Sequence, residues 1–265
     1  MTCAAIRTKA VGVVVPVHNE EELLGPALDA LEGAFSGVMH RGIECRTAIV
    51  LDGCSDRSAT IARHWARSLA RLEAPRQSVV VLRCRSAGVG EARRLGAATL
   101  LRKWRTLSPG NIWLATTDAD SRVPPEWLAA QLAAHESGAD VWTGRVSVED
   151  WSPYEERTAR LWNEAYDAEQ VPVHGASLGF NAQMYLDAGG FAALGTGEDR
   201  ALHRAILAAG GYALEDEELR VITSGRRLAR APLGFAHALS SFDDEVQVQV
   251  HGPDGELVGR RAAPS

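Results

Sequence analysis

No stretch of this 265-residue chain approaches the ~18 consecutive apolar residues of a membrane helix, which argues against an integral membrane segment. Cysteine is scarce: Cys3, Cys45, Cys54 and Cys84 are the only four, and no two stand at CxxC spacing. They read as reduced thiols, which excludes a disulfide framework and a zinc ribbon. Excess positive charge is missing too, since the formal net charge is −6. Without it there is no electrostatic footprint for nucleic acid or an anionic membrane. An acidic protein that binds an anionic ligand then needs local countercharge from a metal, arginines or helix N-termini. The N-terminal MTCAAIRTKA is too short before the first strand for a signal peptide, so a cytoplasmic location is expected. Gly88-x-Gly90 lacks the GxGxxG spacing and does not open the first βα unit, which argues against a dinucleotide site.

What is present is an ordinary soluble composition, 46% hydrophobic and 23% charged, arranged in alternating patterns. Val11–Val17, Thr47–Leu51, Val79–Leu82 and Ile112–Thr117 are short apolar, β-branched runs. Between them lie helical patterns from about Glu20 to Phe35, Ser55 or Asp56 to Leu72, and Gly90 to Trp104. Strands alternating with helices of this length predict an α/β fold, a doubly wound and mostly parallel sheet buried on both faces.

From Glu126 the rhythm changes. A helix to Ser137 precedes a strand at Val141–Val146 that stands outside the simple series. Helical stretches are expected at Trp151–Gln170, before Gly189-Gly190, at Glu198–Ala209 and at Arg226–Leu239, with Tyr212–Thr223 extended. The expectation is one domain over residues 1–242, in two functional halves at about 10–122 and 123–242. A polar tail is expected at 243–265, fraying beyond Asp243.

Four candidate loops follow the first four strands, and in a parallel sheet they share one edge, where ligands bind. They are Pro16-Val17-His18-Asn19-Glu20, Asp52-Gly53-Cys54-Ser55-Asp56, Ser86 to Arg93, and Asp118-Ala119-Asp120. Two Asp one residue apart can share a hard divalent cation, which neutralises a bound diphosphate. Asp52 could accept from a base N–H, Glu20 could contact base or ribose, and Arg93 could meet a phosphate. Each motif has a plainer explanation: Asn19-Glu20 and Asp56 as helix caps, Asp52-Gly53 as a turn. Their conjunction carries more weight than any member.

In order, the strings VVVPVHNEEELL, IVLDGCSDRSATIA, AGVGEARRLGA, WLATTDADSRVPPEWL, HGASLGFNAQMYLDAGGF and GTGEDRALHRAILAAGG resemble family 2 glycosyltransferases of the GT-A fold. The resemblance implies a Rossmann-like nucleotide-binding half and a smaller acceptor-binding half. It implies that Pro16, Val17, Asn19 and Glu20 line the nucleotide and that Asp52 holds the base. Gly88, Gly90 and Arg93 would follow the diphosphate, with Asp118 and Ala119 at the ribose or sugar. Asp120, with Asp118, would ligate Mg²⁺ or Mn²⁺. Asp199, after Glu198, would deprotonate an acceptor hydroxyl in an inverting displacement. His174, Gly175 and Glu198 would line the acceptor pocket, and His237 would be a third metal ligand. The implied partners are a nucleotide-diphospho-sugar and a small or lipid-linked acceptor, the latter allowing peripheral membrane association.

The chain departs from the family pattern in two places. Leu51-Asp52-Gly53-Cys54 stands where Asp-Asp-Gly-Ser is usual. The Gln-x-x-Arg-Trp motif of processive synthases is missing, with Arg226 and Arg227 offered nearby as charge for the diphosphate. Single-sugar transfer fits better than processive synthesis. A sugar-phosphate nucleotidyltransferase is disfavoured by the acidic loop after the first strand. A catalytically inactive sugar-nucleotide-binding protein is disfavoured by the retained carboxylates. Of the seven tryptophans, Trp142 and Trp151 are candidate sugar platforms. His64, His135 and His251 are expected to face solvent.

Overall fold

A computed structural model describes residues 8–71, 77–85, 87–168, 172–227 and 234–251. The strands are β1 (Ala10–Val17), β2 (Glu44–Asp52), β3 (Gln77–Cys84), β4 (Ile112–Thr116), β5 (Val141–Val148), β6 (Leu178–Asn181) and β7 (Ala213–Thr223). The helices are α1 (Leu24–Met39), α2 (Ser58–Arg71), α3 (Val89–Lys103), α4 (Trp127–Glu136), α5 (Glu156–Ala168), α6 (Ala182–Asp187), α7 (Glu198–Ala208) and α8 (Phe235–His251).

All seven strands form one sheet in the order β3-β2-β1-β4-β6-β5-β7. The pairs β1·β2, β2·β3 and β1·β4 are parallel, while β4·β6 and β5·β6 are antiparallel. The alternating α/β half is therefore as expected, and β5 does stand outside the simple series. β1 is central and nearly all buried because it is covered on both faces, which is why its apolar run is unbroken. Pro16 is tolerated there because the β4 ladder ends at Val14↔Thr116, so Pro16 lacks an N–H only where no β4 partner awaits it.

The chain divides into two compact units, Met1–Ser147 with Val171–Thr223, and Val148–Gln170 with Ser224–Ser265. In the first, the helices pack on the sheet and bury Trp104, Trp113, Trp127 and Trp142. In the second, the Trp162 ring meets Phe235 and Phe242 edge-on.

Two expectations are corrected in the second unit. The helix predicted at Arg226–Leu239 starts at Phe235 and continues to His251, through the segment expected to fray; residues 228–233 and 252–265 lie outside those described. Asp243 looks like a solvent residue in sequence, but it is 4% exposed. It accepts a 2.6 Å hydrogen bond from Thr158 Oγ1 and pairs with Arg227 at 2.7 Å. Those partners lie far off in sequence, so local polarity misled. His135 is likewise buried, tilted against Trp113 at 4.9 Å between ring centroids, rather than solvent-facing.

Candidate active site

The first two loops are laced together before any ligand is considered. Asn19, the one non-glycine residue with positive φ (54°) among those described, turns the chain as it leaves β1. Its Oδ1 accepts from Ser55 N at 2.8 Å, with a longer 3.4 Å contact from Asp56 N. Asp56 receives Ser58 N at 3.0 Å and Glu21 N at 2.9 Å, so it caps α2 and ties down the β1 loop at once. Glu20 is 5% exposed and its N–H donates to Ser58 Oγ at 2.8 Å. Val17 is buried and its carbonyl receives the Cys54 thiol at 3.2 Å. Of the residues expected to line a nucleotide here, Pro16 and Asn19 are partly accessible, whereas Val17 and Glu20 are inward.

Asp52 does a second job that its sequence position does not reveal. Its carboxylate accepts from Ala87 N at 2.8 Å, Gly88 N at 2.9 Å and the Cys84 thiol at 3.2 Å, fixing the loop between β3 and α3. About one of its four acceptor positions is then left for a ligand. The Cys84 thiol is pushed up to about 12 by burial and by this carboxylate, so it stays protonated and donates. Gly88 is required by its backbone, with φ 87° and ψ 163°. Gly90, expected to follow the diphosphate, packs on protein. A Cβ there would meet Ala192 O at 2.3 Å, and Gly90 N already donates to Leu194 O at 3.1 Å.

Asp118 and Asp120 leave the end of β4 with Ala119 buried between them, so the turn is anchored and both carboxylates stay partly accessible. The Ser121 hydroxyl lies 3.2 Å from Asp120 Oδ1 and 2.9 Å from Thr223 Oγ1, a buried clamp behind the loop. Burial raises the Asp118 pKa, helped by the charges of Asp120 and Asp199 and opposed by Arg93. Three carboxylates that feel one another's charge would be relieved by a cation. Two oxygen donors plus water and phosphate make an ordinary Mg²⁺ or Mn²⁺ set, so the residues fit such an ion. Among the described residues no three His, Cys, Asp or Glu side chains gather into a metal cage. His237, expected as a third ligand, is an exposed residue of α8 in the second unit. Arg226 and Arg227 also belong to that unit. There Arg227 binds Pro153 O at 3.0 Å and covers the Tyr154 ring at 4.9 Å.

Arg93 and Glu198 correct the expectation most. Arg93 is 3% exposed, and its Nε donates to Thr116 Oγ1 at 3.0 Å. Its two terminal nitrogens pair with Asp118 and Glu198. Glu198 is 1% exposed, so it is a buried counter-ion and not an accessible acceptor ligand. Thr116, Cys84 and Ser58 were missed altogether, because each reads as an ordinary small residue at the end of a strand or the start of a helix.

Asp199 opens α7 and stays partly accessible. Its Oδ2 accepts from Gly175 N at 2.8 Å and its Oδ1 from Arg200 N at 2.7 Å, which orients the carboxylate. Gly175 must lack a side chain: a Cβ would lie 2.1 Å from Arg93 Nη2 and 2.3 Å from Cζ. Arg93 is walled in and cannot swing away, so Gly175→Ala is expected to lower stability by roughly 1–3 kcal/mol, the usual range for overpacking. It should also displace the amide that holds Asp199. Thermal melts and turnover of the same sample check both effects.

His174 precedes this turn. Burial pushes its pKa down to about 4, with Arg200 and Arg145 also lowering it and Asp199 opposing, so the ring is neutral at pH 7. The unfolded chain takes up this proton near pH 6.5 and the folded one does not. Stability from His174 is therefore complete above about 6.5 and is lost as pH falls towards 4, by roughly 3 kcal/mol at most. His135 and His203 are lowered too, and add in the same direction. Denaturant melts between pH 7 and 4.5 should show the loss, and His174→Gln should flatten it.

Neither tryptophan proposed as a sugar platform is freely presented. Trp142 is 1% exposed, and half-buried Trp151 sits edge-on to Tyr154 in the second unit.

Comparison with known proteins gives the site its context. The family model described as Glycosyl transferase family 2 matches residues 12–187. No curated protein matches the chain. Among solved structures, the chain is similar to a mannosyltransferase, PcManGT from Pyrobaculum calidifontis, in complex with GDP-Man and Mn²⁺. The TM-score is 0.59 at 18% identity, covering 89% of this chain and 70% of that one. It is also similar to S. aureus TarS 1–349, with TM-score 0.55, 15% identity, and 90% and 72% covered. A third likeness is to glucosyl-3-phosphoglycerate synthase from Mycobacterium tuberculosis with Mn²⁺, UDP and phosphoglyceric acid. Its TM-score is 0.52 at 16% identity, with 92% and 78% covered. At these identities the likeness establishes the fold, which is the expected GT-A fold.

Proposed function

The chain belongs to glycosyl transferase family 2, and from that premise we propose that it moves one sugar from a nucleotide-diphospho-sugar to an acceptor hydroxyl, with inversion. The observation that carries this reading is the meeting of two carboxylate sets through one side chain: Arg93 holds Asp118 on one side and Glu198, the neighbour of Asp199, on the other. Transfer needs the donor and base sites to lie close enough for two substrates to meet, and one arginine here spans both carboxylate sets.

In this reading Asp118 and Asp120 hold Mg²⁺ or Mn²⁺, which when bound neutralises charge on the departing diphosphate. Asp52 uses its remaining acceptor position for a base N–H, and the Pro16–Asn19 edge lines the nucleotide. Asp199 takes the acceptor proton, its carboxylate aimed by two backbone amides. His174 and the Gly175 turn then form the acceptor wall. That PcManGT was crystallised with GDP-Man and Mn²⁺, and the mycobacterial synthase with Mn²⁺, UDP and phosphoglyceric acid, supports a nucleotide-sugar donor and a divalent metal. Among the described residues no helix is long and apolar enough to cross a membrane. The proposed setting is the cytoplasm, with peripheral association if the acceptor is lipid-linked.

The test is release of nucleoside diphosphate from UDP-, GDP- and dTDP-sugars with Mn²⁺, alone and with a panel of acceptor alcohols. Acceptor-stimulated release, and a product anomer opposite to the donor's, are expected. Donor binding with no release across the panel would make the chain an inactive binding protein.

A further inference from the structure

We propose that Arg93 is the positioning residue that holds the donor carboxylate Asp118 and the base-bearing start of α7 in fixed register, and that it does not itself bind the diphosphate. The proposal rests on the reading of Asp118 as donor-side and Asp199 as base. Its evidence is the spread of partners around one guanidinium. Arg93 rises from the first turns of α3, and its planar fork reaches three other segments. Thr116 Oγ1 at the end of β4 takes Nε at 3.0 Å, Asp118 in the following loop takes Nη2, and Glu198 at the start of α7 takes Nη1. A fourth segment, the Gly175 turn, lies so close to the guanidinium that no side chain fits between them. The amide of that same glycine donates to Asp199 at 2.8 Å. With 3% of its surface exposed, Arg93 has no free face to offer a phosphate.

A buried ion pair of this kind adds little net stability over a well-packed apolar group, so stability alone is a weak reason to build it. A rigid fork that fixes several acceptors at set angles is a better one. Lysine has the charge but not the fork. Its single ammonium cannot serve Thr116, Asp118 and Glu198 from their separate directions, nor lie flat beneath Gly175.

The experiment compares Arg93→Lys, and the charge-neutral pair Arg93→Gln/Glu198→Gln, with the wild type at saturating Mn²⁺. Melting temperature, donor KM and kcat for transfer are read on the same folded samples. Expected is a fall in kcat of about 100-fold, the usual cost of misplacing reacting groups by about 1 Å, with donor KM changed less than about threefold. A lower melting temperature with unchanged kcat would overturn the proposal, because the arginine would then serve folding alone. So would a rise in donor KM with kcat unchanged, which would mean direct contact with the donor. If both variants fail to fold, Thr116→Val removes one of the arginine's acceptors at nearly equal shape. It should lower kcat several-fold at constant donor KM, and an unchanged kcat would again overturn the proposal. A wild type that turns over no sugar nucleotide overturns the underlying functional reading and this inference with it. An active wild type with active variants overturns only the inference.

Discussion

Asp120→Asn is expected to lower metal-dependent turnover by at least a hundredfold, because metal stabilisation of a leaving diphosphate contributes several kcal/mol. The substitution is nearly isosteric, and the loop it sits on is pinned from behind by Ser121 and Thr223. The fold should therefore survive, leaving the loss to the missing charge. Of the two aspartates, Asp120 is the cleaner probe, since Asp118 is also tied to Arg93 and its removal would leave that buried cation short of a partner. Steady-state rates over a Mn²⁺ titration distinguish the outcomes. A variant that needs more metal but recovers full rate has lost affinity only, and one that never recovers has lost the chemistry.

Asp199→Asn should separate binding from transfer. Removing a general base typically costs about 10²–10⁴-fold. Here the amide also brings a geometric penalty. Asp199 accepts two backbone N–H groups on separate oxygens, and an asparagine would turn an NH₂ towards one of them. The expected result is donor affinity within a few-fold of wild type, transfer close to background, and a modest drop in melting temperature from the disturbed Gly175 turn. Calorimetric donor binding beside product formation checks this. Transfer at an ordinary rate would remove Asp199 from the mechanism.

Much of this was legible in the chain. The β-branched runs at Val11–Val17 and Ile112–Thr117 announced buried strands, and strand–helix alternation put four loops on one edge. Ordered strings shared with a known family then gave the fold, and they suggested the carboxylate roles that are proposed above. What stayed hidden was the second occupation of each polar residue. Asp52 could be read as a ligand for a base, but the amides of Ala87 and Gly88 that it holds stand 35 and 36 residues away. Arg93 and Glu198 looked like separate donor and acceptor contacts, yet they pair across 105 residues in the interior. Local pattern reports which way a residue faces on its own element. It does not report which loop will be folded over it, and that determined whether Arg93 and Glu198 met substrate or each other. The same blindness made Asp243 look like frayed tail and His135 look like surface.

A metal-dependent sugar-nucleotide site built on Asp118 and Asp120 is tested most directly by thermal shift. The wild type and Asp120→Asn would be melted with UDP-, GDP-, dTDP- and CMP-sugars, each with and without Mn²⁺. A ligand bound only by the folded state raises the melting temperature with its occupancy. The expected result is a shift of the wild type by one nucleotide class, present with Mn²⁺ and largely lost without it or in Asp120→Asn. No shift with any nucleotide, or an equal shift in Asp120→Asn, would contradict the claim.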